Sequence, residues 1–202
     1  MDADGIIQEL GTKIYEAPLS GVRSEENYPD LTNPLHLATL LIDCDTEVDM
    51  NGMLGFLENS TGRHLSRTAE ALRLIGAPRS AALLESIQSC MTKHGVTWEG
   101  LRGDFAGGAE YQVTSFRELH GEALDAFASE VGGLAGRFSL FNRHYALEDS
   151  YGALCRYLDN RMLELRGEID KRTRGQPGAS PDGGPAPFPG DSVANDGSPS
   201  AS

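Results

Sequence analysis

Long apolar runs are missing from this sequence, and none approaches the roughly 20 residues that a membrane-spanning helix needs. The opening residues MDADGIIQEL are acidic, which is unlike a signal or transit peptide. Cysteine is also scarce: Cys44, Cys90 and Cys155 lie far apart and form no CxxC motif. We therefore expect a cytoplasmic protein with reduced thiols, two of them in the core, that does not bind membranes.

Positive charge is scarce in the first third of the chain. Residues 1–60 contain twelve acidic residues and only two basic ones, Lys13 and Arg23, so their net charge is -10. Residues 61–175 contain fifteen residues of each sign, and residues 176–202 add three acidic ones. Such a charge distribution repels nucleic acid and favours a basic partner. We expect no direct binding to nucleic acid, because the arginines alternate with acids and form no basic stripe.

The domain organisation follows from composition. From Gln176 onward, proline, glycine and serine make up 16 of 27 residues, with Phe188 as the single aromatic residue. Such a segment cannot bury enough apolar surface to offset the entropy lost on ordering. The sequence therefore predicts one compact domain over residues 4–172 and a disordered tail over residues 173–202.

Helical periodicity dominates the predicted domain. Asn33 followed by Pro34 is typical of a helix start, and Gly76 and Gly95 are typical of helix ends. The predicted helices cover residues 6–14, 34–42, 65–75, 78–94, 124–131 and 151–165, the last as one long amphipathic helix. Only residues 111–116 have a strand-like pattern, and the glycine-rich residues 103–108 indicate a loop. The predicted fold class is all-α.

One segment partly matches a calcium-binding loop. In residues 47–58, Asp49, Asn51, Gly52 and Glu58 occupy positions 3, 5, 6 and 12 of the helix–loop–helix motif. Position 1 is Glu47 where the motif has the shorter aspartate, and there is no second loop to pair with it. We therefore expect no metal site here.

The same region holds a run of carboxylates at a spacing of two, namely Asp43, Asp45, Glu47 and Asp49. We interpret the run as the end of the helix that begins at Pro34, where acidic groups oppose the helix dipole by roughly 0.3–1 kcal/mol each. A solvated face is one interpretation of each residue taken singly. For the cluster as a whole, together with Glu58, we predict contact with a basic partner.

Catalytic motifs are lacking. The five histidines are scattered without an HxH or HExxH pattern or a Cys/His pairing, and the glycine-rich residues 103–108 lack the Lys-Ser/Thr of a phosphate loop. Catalytic groups need only meet in the fold, so an enzyme stays open as the third alternative. We expect no cofactor, and we expect Trp98 to anchor the connection between Gly95 and Gly103 against the core.

The stretch from Glu47 to Leu84 resembles a bacterial domain family of unknown function that includes a small acidic DNA-mimic protein. The matching positions are Glu47-Val48, Gly52, Phe56, Asn59-Ser60, Gly62, Ala71-Leu72, Ile75-Gly76-Ala77 and Ala82-Leu83-Leu84. The departures are Asn51 in place of the first glycine of a turn, Met53 in place of phenylalanine, Gly55 in place of glutamine and Leu57 in place of an aromatic residue.

This resemblance implies a helical fold in which Asn51 and Gly52 make a tight turn that Glu47 and Asn59 cap or brace, with Gly62 closing the segment. It also implies a non-enzymatic function, in which carboxylates stand in for phosphates on the DNA-binding surface of a regulator. An immunity or antitoxin protein that blocks a toxin is the alternative. The sequence leaves both a monomer and a homodimer open.

Overall fold

The computed structural model describes residues 2–107 and 115–174, with side chains omitted for residues 105–107. Within these ranges the chain forms helices packed around one core and no strand, so the predicted all-α class is confirmed. The predicted tail lies outside the described residues from residue 175 onward, whereas residues 173 and 174 continue the last helix. None of the described helices is long and apolar enough to cross a membrane.

The α-helices follow the predicted pattern in most places. Three 3-10 turns accompany them, at Leu19–Ser24, Gly62–His64 and Glu122–Leu124. The α-helices are α1 (Ala3–Lys13), α2 (Pro34–Glu58), α3 (Leu65–Ile75), α4 (Pro78–His94), α5 (Trp98–Gly107), α6 (Phe116–His120), α7 (Asp125–Ala135), α8 (Ser150–Asp159) and α9 (Met162–Arg174).

The centre of the fold is α2, which packs against α1, α3, α5, α7 and α9. Its start is as predicted, since the Asn33 side chain accepts hydrogen bonds from the backbone N–H groups of Leu35 and His36, and Pro34 takes the first helical position. Every residue from Pro34 to Cys44 is buried, because neighbouring helices cover this first half on all sides. The acidic residues that follow therefore emerge directly from the core.

Three local predictions were wrong. The long helix predicted over residues 151–165 is two helices, α8 and α9, separated at Asn160 and Arg161, and both bury the same apolar stripe. The predicted loop at residues 103–108 is helical through Gly107, and α7 continues past Gly132 and Gly133. The strand-like pattern at 111–116 lies outside the described residues except at its end, where Phe116 begins α6.

Candidate partner-binding site

A bend divides α2 within the acidic segment, which we define as residues 43–58. Gly52 has φ 69° and ψ -179°, the one non-helical conformation within this helix. Backbone angles of this kind are essentially restricted to glycine. The turn predicted at Asn51 and Gly52 is a bend within α2, and only Gly52 departs from helical backbone angles there.

Glu47 braces the bend from the inside. Its carboxylate accepts hydrogen bonds from the side-chain amides of Asn51, at 3.1 Å, and of Asn59, across the bend. Gly62 packs tightly against the end of α2. A Cβ atom at this position would lie 2.6 Å from the carbonyl oxygens of Phe56 and Leu57. Glu47 and Asn59, which were predicted to cap or brace the turn, are thus hydrogen-bonded to each other across the bend.

The partial calcium motif corresponds to no loop. Residues 47–58 are helical except at Gly52, whereas a calcium loop wraps its ligands around the ion. The carboxylates at the first and last positions of the motif also have other partners. Glu47 accepts from amides, and Glu58 lies 2.7 Å from Nε2 of His120.

Asp43 is buried, with 3% of its surface exposed. Its two carboxylate oxygens face Arg23, with distances of 2.7 Å from Nε to Oδ2 and 2.5 Å from Nη2 to Oδ1. A third guanidinium nitrogen of Arg23 donates to the carbonyl oxygen of Ile14, and the ring of Tyr15 lies 4.7 Å from the guanidinium carbon. Asp43 therefore ties α2 to the Leu19–Ser24 turn and has no surface to offer a partner.

Asp45 holds a second connection inside the protein. Its Oδ1 atom accepts hydrogen bonds from the backbone N–H groups of Leu140, at 3.0 Å, and Phe141, at 2.9 Å, and from the hydroxyl of Ser139, at 3.3 Å. Burial raises the pKa of Asp45 to about 6, because desolvation and the charge of Asp49 outweigh these hydrogen bonds. Asp45 thus fixes the segment after α7 against α2.

The raised pKa of Asp45 predicts a pH dependence of stability. A carboxylate with a pKa above its unfolded value binds more protons in the folded state, so its ionisation lowers the free energy of unfolding as pH rises from about 4 to about 6. Asp45→Asn keeps the Oδ1 acceptor and removes the charge. We expect the variant to be more stable than the wild type by up to about 2 kcal/mol above pH 6.

Urea denaturation at pH 4 and pH 7 measures this difference. The advantage of Asp45→Asn should be small at pH 4 and reach its full size at pH 7. A variant that is less stable than the wild type at pH 7 would show that the carboxylate, and not only its acceptor atom, stabilises the Ser139–Phe141 segment.

Glu58 makes a third internal contact. The imidazole of His120 is fully buried and lies between two carboxylates, with Nε2 2.7 Å from Glu58 and Nδ1 2.9 Å from Asp104. These contacts join the end of α2 to α5 and α6. Trp98, at the start of α5, donates from Nε1 to the carbonyl oxygen of Asn59 at 2.8 Å, so it packs against the acidic segment.

Asp49 differs from the other predicted partner-binding residues. It is exposed, and within residues 2–107 and 115–174 it has no ion-pair partner. Next to it Met50 is 75% exposed, and Asn51 and Gly52 are exposed as well. Residues 49–52, which we call the acidic corner, therefore form a projecting surface with one carboxylate and one large apolar side chain.

The predicted partner-binding cluster does not form a single exposed surface. The internal partners of Asp43 and Asp45 are far away in sequence, at Arg23 and in the Ser139–Phe141 segment, so spacing within the run could not reveal them. One signal was readable: Arg23 is the single arginine among twelve acidic residues in the first 60. An arginine that is one of only two cations in such a segment is a good candidate for a buried ion pair.

One described cavity lies away from this segment. It has a volume of about 510 Å³ and lies between α1, Pro18 and α9. Its floor is apolar, from residues such as Ile6 and Leu10. Two of the carboxylates that line it are paired locally, Glu9 with Lys13 and Asp170 with Arg174.

The sequence was compared with known proteins. The model of a family described as DMP19-like protein matches residues 29–161, about two thirds of the chain. Comparisons with curated proteins and with solved structures gave no match. The matched range contains all of α2 and the acidic corner.

Proposed function

Because the chain belongs to the DMP19-like protein family, we propose that it is a non-enzymatic binding protein that occupies the DNA-binding surface of another protein. A DNA mimic presents carboxylates where DNA would present phosphates, and it competes with DNA for the same lysine and arginine side chains. The proposal rests on the charge distribution together with this family membership.

The pairing of the two basic residues in the N-terminal third supports the proposal. Lys13 pairs with Glu9 on the surface and Arg23 pairs with the buried Asp43, so both basic residues of this region already have acidic partners within it. The exposed carboxylates Glu26 and Asp49 have no such partner in the described ranges. The negative potential of this region is therefore available to a basic partner.

The acidic corner is the proposed point of contact. Asp49 supplies the carboxylate, and the neighbouring Met50 supplies an apolar, adaptable side chain of the kind enriched in protein interfaces. Asp43, Asp45, Glu47 and Glu58 position this corner through their internal bonds. Their role is to hold the bend rather than to touch the partner.

Charge reversal at the corner tests the proposal. The protein is used to capture partners from its native host, and the captured DNA-binding protein is then titrated with wild type and with Asp49→Lys. We expect Asp49→Lys to weaken binding about tenfold or more, which corresponds to about 1.4 kcal/mol. Binding should also fall as salt is raised, and duplex DNA should displace the captured protein.

Glu99→Lys provides the matched control. Glu99 is also an exposed carboxylate, it lies in the first turn of α5 outside the acidic segment, and its reversal changes net charge by the same amount. Equal weakening by both variants would show that only net charge matters, which contradicts a specific corner. A captured enzyme that duplex DNA fails to displace would instead indicate the immunity or antitoxin function.

A further inference from the structure

Three metal-ligating side chains of different chemistry meet where α7 packs against α4. Cys90 and His94 lie four residues apart in the last turns of α4, and Glu130 lies on α7, which packs against α4. One ligand atom from each, a sulfur, an imidazole nitrogen and a carboxylate oxygen, lies within 4.8 Å of the other two. Residues at this spacing share one face of a helix.

Two of the three groups are already in contact. Nε2 of His94 lies 2.8 Å from Oε2 of Glu130, and the Cys90 sulfur lies within 4.8 Å of both ligand atoms. The His94 ring is held edge-on against the buried ring of Phe127, with centroids 6.0 Å apart. The ligands are thus oriented by the packing of α4 on α7.

We propose that Cys90, His94 and Glu130 bind a zinc ion that links α4 to α7. Thiolate, imidazole and carboxylate are all zinc ligands, and three protein ligands leave the fourth tetrahedral position to water. A thiolate with an imidazole favours zinc over magnesium or calcium, which prefer oxygen ligands. The carbonyl end of the α4 dipole also favours a cation at this position.

Binding replaces protons by the metal. Cys90 is 3% exposed, and burial followed by the charge of Glu130 raises the pKa of its thiol. Zinc binding therefore releases the thiol proton to solvent and ends the hydrogen bond between His94 and Glu130. The ligand atoms must close from at most 4.8 Å to the separations set by metal–ligand bonds of about 2.0–2.3 Å, a small adjustment of side chains.

One neighbouring cation opposes the ion. Nζ of Lys93 lies 2.7 Å from Oε2 of Glu130, the same oxygen that His94 contacts. Lys93→Gln removes this competing charge and keeps a side chain of similar length. We expect this variant to bind zinc more tightly than the wild type.

Cobalt and zinc titrations of the full chain test the site. Cobalt, which substitutes for zinc, should give a sulfur-to-metal charge-transfer band in the near ultraviolet that saturates at one equivalent and disappears when zinc is added. Cys90→Ala should abolish the band. His94→Ala should weaken zinc binding by more than the roughly 10–100-fold that is typical for the loss of an outer-shell partner.

Cys155→Ala is the matched control, because Cys155 is the partly exposed cysteine on α8. It should leave the band and the zinc affinity unchanged. Circular dichroism without metal shows whether each variant keeps its helices, and zinc should raise the unfolding temperature of the wild type but not of Cys90→Ala. Absence of the band, its loss in Cys155→Ala, or unchanged zinc affinity in His94→Ala would overturn the proposal.

Discussion

Replacing Arg23 by methionine is expected to lower the free energy of unfolding by about 3–5 kcal/mol, the effect typical of breaking a buried ion pair by removing one partner. Asp43 would stay buried at 3% exposure after losing its two-pronged contact with the guanidinium. The carbonyl oxygen of Ile14 would lose a donor as well. Urea denaturation followed by circular dichroism measures the loss.

An exposed pair of the same geometry supplies the comparison. Arg73 donates to both oxygens of Glu85 at 2.8 and 2.6 Å, but the two side chains are 51% and 45% exposed. Arg73→Met should therefore leave the free energy of unfolding nearly unchanged. The double variant Arg23→Met with Asp43→Leu should recover most of the loss, because it removes the buried charge. Equal losses of stability in Arg23→Met and Arg73→Met would contradict the proposed effect of burial on the Arg23–Asp43 pair.

Gly55→Ala is expected to destabilise the protein by about 1–3 kcal/mol, the range found for overpacking. A Cβ atom at Gly55 would lie 2.4 Å from the Cβ atom of Asn51, which is too close for any rotamer change to relieve. These are also two positions at which the chain departs from the family it resembles, with Asn51 in place of glycine and Gly55 in place of glutamine. The structure explains the two departures together, since only one of the positions has room for a side chain.

A double-mutant cycle checks this explanation. Asn51→Gly removes the clashing atom, so Gly55→Ala in that background should be less destabilising by about 0.5–3 kcal/mol. Gly11→Ala is the control, because Gly11 lies within α1 with no atom within 4 Å of the added Cβ. This change should stabilise the protein by about 0.4–1 kcal/mol. Additive effects at positions 51 and 55 would contradict the steric coupling.

Helix starts and ends could be predicted from the sequence because their causes are local. Asn33 caps α2 through its own side chain, and Gly76 and Gly95 take left-handed conformations directly after α3 and α4. The division between α8 and α9 could not be predicted, because the apolar stripe continues across it. There the side chain of Arg161 donates to the carbonyl oxygen of Thr32 at 2.6 Å, a contact with a distant part of the chain.

In the candidate site, too, the local features could be predicted from the sequence and the tertiary partners could not. The glycine at the bend and the bracing by Glu47 and Asn59 follow from neighbouring residues and from the family resemblance. The internal partners of Asp43 and Asp45 do not, because Arg23 and the Ser139–Phe141 segment reach α2 only through the fold. Of the proposed zinc ligands, Cys90 and His94 lie four residues apart in a helix, a spacing that the sequence prediction missed, and Glu130 joins them only through the packing of α7 on α4.

The hydrogen bond from Trp98 to Asn59 places a spectroscopic reporter beside the acidic segment. The protein contains a single tryptophan, so its intrinsic fluorescence comes from one indole without labelling. That indole is partly exposed, and it donates to the carbonyl oxygen of Asn59 at the end of α2, seven residues after Gly52. Changes in its emission wavelength or quenching therefore provide an optical readout of events at this end of α2.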